Sequence, residues 1–222
     1  MVDELLYNGP ESGPVLVLAH GAGAPMDRAF MEELAELLGS AGVRVVRFEF
    51  PYMRKRREDG RRRPPDRQPV LLEHFEEVLS RVGARERPVV AGGKSMGGRM
   101  ATMLAAARAL PAVVCFGYPF HPSGRPERTR IEHLESLNTP VRIWQGERDP
   151  MGSRKEVEGY CLSKSVQLRW LPDGDHDLRP RRTSGHTRQE HLRTAAREAA
   201  EFIHRVALDI APDHSHSRRQ VR

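Results

Sequence analysis

The segment VVAGGKSMGGRMA (89–101) carries a serine framed by glycines, Gly93-Lys94-Ser95-Met96-Gly97. A free hydroxyl is a weak nucleophile at neutral pH, so a serine that attacks an acyl carbon needs a base, and the base needs a carboxylate to orient it. Gly-x-Ser-x-Gly presents such a serine when it lies on a sharp turn between a strand and a helix. Both flanks fit. RPVVAGG has the β-branched, apolar character of a buried strand, and GGRMATMLAAARAL (97–110) is an Ala-rich helix former. The same letters contain GKS, the end of a phosphate-binding loop. If Gly93 were the second glycine of that loop, the first would fall on Pro88, which has no N–H and a fixed φ. The nucleophile reading stands and the phosphate reading falls.

Partners for Ser95 occur downstream, each just after a strand-like run. ERDPMG contains Asp149 and DGDHDL contains His176, in the chain order Ser, Asp, His that accompanies this turn. Upstream, HGAGA (20–24) follows the first strand-like run, and its glycines allow close backbone approach. A backbone N–H there and the N–H of Met96 would form an oxyanion hole. Glu147 is the substitute carboxylate if Asp149 only forms an Asp-Pro turn. His20 reads as a structural hydrogen bonder. Asp173, Asp175 and Asp177 around His176 do not make a calcium loop, since Leu178 and Ser184 occupy its glycine and glutamate positions. His214 and His216 read as tail rather than as a metal site. No metal or cofactor is expected.

These residues need a scaffold that gathers them. Strand patterns at 14–21, 43–50, 87–93, 111–118, 140–146 and 166–172 alternate with helical ones. The first helix should start near Asp27 as N-cap and bury Phe30, Leu34, Leu37 and Leu38. Leu71, Phe75, Val78, Leu79 and Val82 share one helical face. Ser153 with Glu156, and Thr187 with Glu190, fit capping boxes. A last helix buries Leu192, Ala196, Ala199, Phe202, Ile203 and Val206. Strands separated by helices imply a mainly parallel sheet of six to seven strands covered on both faces, with ligands beyond the strands' carboxyl ends. A single domain over 1–210 follows, without a lid domain, and 211–222 reads as a disordered tail.

Bulk properties narrow the function classes. The chain has 222 residues, 38% of them hydrophobic, enough for one sizeable core. No run of about 18 uncharged apolar residues exists, and the acidic start MVDELLYNGP is not a signal peptide. Two cysteines make no disulfide framework, so a cytoplasmic setting is expected. Much of the net charge of +6 lies in MRKRREDGRRRPPDRQP (53–69), read as a solvated loop. The absence of aromatics there argues against nucleic acid and leaves an acidic substrate or partner as its other use. Residues 51–69 and 118–135, the longest segments without periodicity, are the expected shapers of a pocket.

HGAG, GKSMGG, GERDP and GDHDL together resemble the α/β-hydrolase superfamily over about 200 residues, with the small lidless members similar to dienelactone hydrolase nearest. Closer still is the resemblance to a bacterial group related to the hydrolase-like domain of a chromatin-associated, non-specific-lethal complex subunit, in which GGKSMGGR and GDHDL recur. The resemblance implies Ser95 as nucleophile, His176 as base and Asp149 as acid, with backbone oxyanion donors at Ala22 and Met96, acting on small esters or related acyl substrates, anionic ones if the basic run reaches the site. It also admits a second reading, a hydrolase-shaped scaffold with an acidic partner. The antiparallel strands that open the superfamily are reduced here to ELLYN at most.

Overall fold

A computed structural model describes residues 4–83 and 88–210; the expected tail, with His214 and His216, lies outside them. Seven strands form one sheet in the order β1-β3-β2-β4-β5-β6-β7. They are β1 (Leu6–Asn8), β2 (Val15–Ala19), β3 (Arg44–Phe48), β4 (Val89–Lys94), β5 (Val113–Phe116), β6 (Val141–Gly146) and β7 (Val166–Leu171). Only β1, from the ELLYN stretch, is antiparallel, pairing Tyr7 with Val46 of β3. The other pairs are parallel, so their carboxyl ends share one edge.

The strands are apolar on both faces because both are covered. Along β2, Val15, Val17 and Ala19 join one core cluster while Leu16 and Leu18 join the other, the period of two expected of a pleated strand. Helices α1 (Ala29–Ser40) and α7 (Arg188–Ile210) cover the second face. The first is covered by α2 (Pro51–Asp59), α3 (Gln68–Gly83) and α4 (Met96–Ala107), with the single turns α5 (Glu132–Glu135) and α6 (Arg154–Val157). Both capping boxes form: the Glu156 carboxylate accepts the Ser153 N–H at 2.8 Å, and the Glu190 carboxylate accepts the Thr187 N–H at 2.8 Å.

Three expectations need correction. Helix α1 has Arg28, not Asp27, at its N-cap, and no side chain caps it. Asp27 instead pairs with Arg57 at 2.9 Å, exchanging a cap for an ion pair. The basic run is not all loop: its first part is α2, opened by Pro51 and closed by Gly60 at φ +70°. Tyr52 and Met53 are its only buried residues, too few to show a helical period. Arg57 also binds the buried Glu49 at 2.6 Å, so part of the charge is structural.

The strand order reverses between β2 and β4, and the segments that leave them start side by side, Ala19 being in register with Gly93. His20, the first residue beyond β2, is fully buried there. Its Nε2 accepts the Phe50 N–H at 3.1 Å, so its proton sits on Nδ1, which donates to the Gly21 carbonyl at 2.7 Å. Burial pushes its pKa down from 6.5 to about 4, against the hydrogen bond to Gly21 and the charge of Glu49. Unfolded, the same imidazole takes a proton near 6.5. The stability it contributes is therefore complete above that pH and is lost as pH falls through about 4. At about 1.4 kcal/mol per unit the loss reaches at most ~3 kcal/mol. His133, also lowered to about 4 by burial, acts in the same direction. Urea unfolding between pH 7 and 4 should show this decline, and His20→Asn should flatten it; an unchanged slope would exclude His20 as a source.

Candidate active site

Ser95 stands between β4 and α4 at φ +53°, ψ −117°, in a region that non-glycine residues rarely enter. Two close approaches hold it there. A Cβ on Gly93 would run into the backbone of Gly97, and a Cβ on Gly97 into the carbonyl of Ala19. The two glycines thus let α4 begin against the ends of β2 and β4, which turns the serine outward.

Three distant segments meet at that serine. His176 Nε2 lies 2.8 Å from Ser95 Oγ, and His176 Nδ1 lies 2.7 Å from Asp149 Oδ2. A carboxylate only accepts, so Nδ1 carries the proton and Nε2 is the acceptor facing the hydroxyl. Asp149 is wholly buried. Its Oδ1 accepts the Met151 N–H at 2.8 Å and its Oδ2 a second bond, from Gln145 Nε2, at 2.8 Å. Gln145 is itself fixed, its Oε1 accepting the Tyr118 N–H at 2.7 Å. Glu147 takes no part: it pairs with Arg154 at 2.9 Å and accepts the Asp173 N–H at 3.0 Å. Asp173 is held by Arg148 and Arg181, and Asp175 accepts the N–H groups of Asp177 and Arg179. Among the described residues no group of three His, Cys, Asp or Glu has a metal-binding arrangement.

The segment 20–24 is anchored from behind by its carbonyls. Gly21 accepts from His20, and the Tyr52 hydroxyl donates to Ala22 at 2.9 Å and lies 3.4 Å from the Gly21 oxygen. Arg56 reaches the Gly23 carbonyl at 3.4 Å. Met96, as the first residue of α4, has an N–H with no carbonyl one turn earlier to receive it.

A cavity of about 770 Å³ opens over Ser95 and His176. Its walls come from 21–24, from the start of α1 (Arg28 to Met31, Glu33), and from Lys94, Met151, Asp177, Arg179 and Arg188. Neither 51–69 nor 118–135 lines it, so the two segments expected to shape the pocket do not. Among the wall charges, Arg188 pairs with Glu33 at 2.7 Å and Lys94 with Asp177 at 3.2 Å. Sequence reasoning missed Gln145, Tyr52 and the wall arginines. Gln145 alone left a signal, as an uncharged polar residue closing an apolar strand.

The comparisons agree with this architecture. The family described as alpha/beta hydrolase domain matches residues 12–204. None of the curated proteins matches significantly. Among solved structures, an alpha-beta serine hydrolase homologue from Coxiella burnetii superposes with a TM-score of 0.68 at 18% identity, covering 89% of this chain and 91% of that one. A lidless serine hydrolase from Xanthomonas campestris gives 0.65 at 19% identity, over 90% and 87%. A dienelactone hydrolase from Anabaena variabilis gives 0.66 at 21% identity, over 89% of each chain. The fold, the order of its strands and the matched span agree: the chain belongs to the α/β-hydrolase domain family.

Proposed function

We propose that the protein is a serine hydrolase of small carboxylic esters or related acyl substrates, working through an acyl-enzyme. The observation that carries this reading is the unbroken hydrogen-bonded line from Ser95 Oγ through His176 to buried Asp149 on the floor of an open cavity. Ser95 Oγ attacks the acyl carbon while its proton passes to His176 Nε2. Asp149 holds the ring and offsets the charge that develops on it. The imidazolium then protonates the leaving alcohol, and water reverses the sequence to release the acid.

The oxyanion that forms between these steps needs donors already in place. A trans peptide points its C=O and N–H in opposite directions. His20 and Tyr52 hold the Gly21 carbonyl, which supports the N–H of Ala22, a residue of the cavity wall, as the donor on the opposite side of that peptide. Met96 supplies the second N–H, at the positive end of α4. These supports leave the hydrolase reading ahead of the scaffold alternative, which requires no such donors. The finer resemblance, to the bacterial group with GGKSMGGR and GDHDL, rests on those motifs alone.

Substrate preference follows from the wall charges. With Glu33 and Asp177 each engaged by a cation, Arg28 and Arg179 are exposed guanidiniums that form no salt bridge among the described residues. They favour an acyl substrate that carries its own anion, and they take over the role that the basic run was expected to play.

A fluorophosphonate should label the wild type and not Ser95→Ala, whose ester turnover should fall by at least about 10³-fold; an unlabelled, inert wild type would favour the scaffold. Loss of His176 should cost about as much, and the double mutant little more. Arg28→Ser with Arg179→Ser should lower kcat/KM for a hemisuccinate ester more than for a neutral butyrate, mainly at low salt. Equal losses for both esters would rule out anion selection.

A further inference from the structure

Lys94 is the one residue of the GKS triplet for which neither the rejected phosphate loop nor the proposed chemistry finds a use. It immediately precedes Ser95, and its side chain is nearly wholly buried in the cavity wall. The ammonium donates to the main-chain carbonyl of His176 at 2.7 Å. It also pairs with Asp177 at 3.2 Å and lies 5.3 Å from the ring centroid of Phe30 on α1. Burying a cation is costly unless it is paired and hydrogen-bonded. Here burial holds the ammonium below the usual lysine range, with Asp177, Asp149 and Asp175 opposing. A lysine kept under those conditions only to fill space could be replaced by methionine at no loss.

The segment it grips is conformationally unusual. His176 lies between two non-glycine residues with positive φ, Asp173 at +54° and Leu178 at +60°. Its main chain has no strand ladder to hold it, being beyond the end of β7. The carboxylate of Asp149 fixes the ring from one side, and nothing in that bond fixes the height of the ring above Ser95. The Lys94 bond does. Because Lys94 and Ser95 are consecutive, the residue that delivers the nucleophile also sets the distance to its base.

We infer that Lys94 is a positioning residue, a strut from the nucleophile's own strand that holds the His176 backbone so that Nε2 meets Ser95 Oγ. This inference rests on the proposed serine chemistry and deepens it.

The decisive variant is Lys94→Met, which keeps length and apolar bulk. kcat should fall about 10²-fold, as for a misplacement of an ångström or so, with KM within about twofold. Lys94→Arg should recover part of kcat, and Asp177→Asn, which leaves the carbonyl bond in place, should keep most of it. Gly117→Ala approaches the same bond from the far side. Its Cβ would lie 2.5 Å from the His176 oxygen and 3.1 Å from Lys94 Nζ, so it should lower kcat while leaving the cation. It decides the matter if Lys94→Met does not fold. A readout independent of turnover is the downfield Hδ1 proton of the His176–Asp149 pair, identified by its loss in His176→Asn. It should be present in the wild type and lost or broadened in Lys94→Met. Wild-type kcat in a folded Lys94→Met or Gly117→Ala, or an unchanged Hδ1 resonance, would overturn the strut. A wild type inert toward esters and fluorophosphonate would refute the serine chemistry instead, and the Hδ1 resonance would still report on Lys94.

Discussion

Everything at the carboxyl edge depends on how closely α4 can begin to β2 and β4. The contact involves only backbone: Gly97 lies against the Ala19 carbonyl, and Gly93 against the start of the helix. A side chain at either glycine would lift α4 off the sheet, and Ser95 would relax out of its positive φ. The strain at Ser95, of order 1–3 kcal/mol, is tolerable because the packed strands on both sides leave the chain no other route. A nucleophile held by backbone contacts of this kind needs no side chain of its own to aim it.

Around that fixed point the fold assembles supports in layers. Gln145 and the Met151 N–H fix Asp149, which fixes the histidine ring. On the opposite side, α2 brings Tyr52 and Arg56 against the carbonyls of 21–24. His20 ties the segments that leave β2 and β3 to each other, bonded to Phe50 at the start of one connection and to Gly21 at the start of the other. The supports come from the ends of β2, β3, β4, β5 and β6, so the site requires the whole sheet and no isolated hairpin could reproduce it.

How much of this is legible in the amino acids differs by kind of residue. Ser95, Asp149 and His176 can be read because their chemistry restricts residue type, and the glycines because a close approach restricts size. The parallel sheet can be read because its strands are apolar on both faces. Helix α2 is hidden because it buries only Tyr52 and Met53 and covers the rest in charge. The true N-terminus of α1 is hidden because Asp27, a good cap by type, is drawn to an arginine thirty residues on. The cavity walls are hidden for a different reason. Arg28, Phe30, Arg179 and Arg188 come together only through the sheet order, and nothing local in 28–30 or 179–188 shows that they face one another. Gln145 and Lys94 fall between, odd enough to notice but with roles set by partners across the fold.

The division between floor and walls has an evolutionary consequence. The floor is built from backbone contacts and fully buried hydrogen bonds, where almost any substitution disturbs several neighbours at once. The exposed wall positions are different: Arg28, Ala29 and Arg179 project from the rim of α1 and from the chain after His176, and their replacement leaves the core clusters intact. Mutational tolerance is therefore concentrated around the cavity rim and nearly absent on its floor. Under the proposed ester chemistry, single substitutions at the rim change which acyl group fits, while the hydrogen-bonded floor stays as it is.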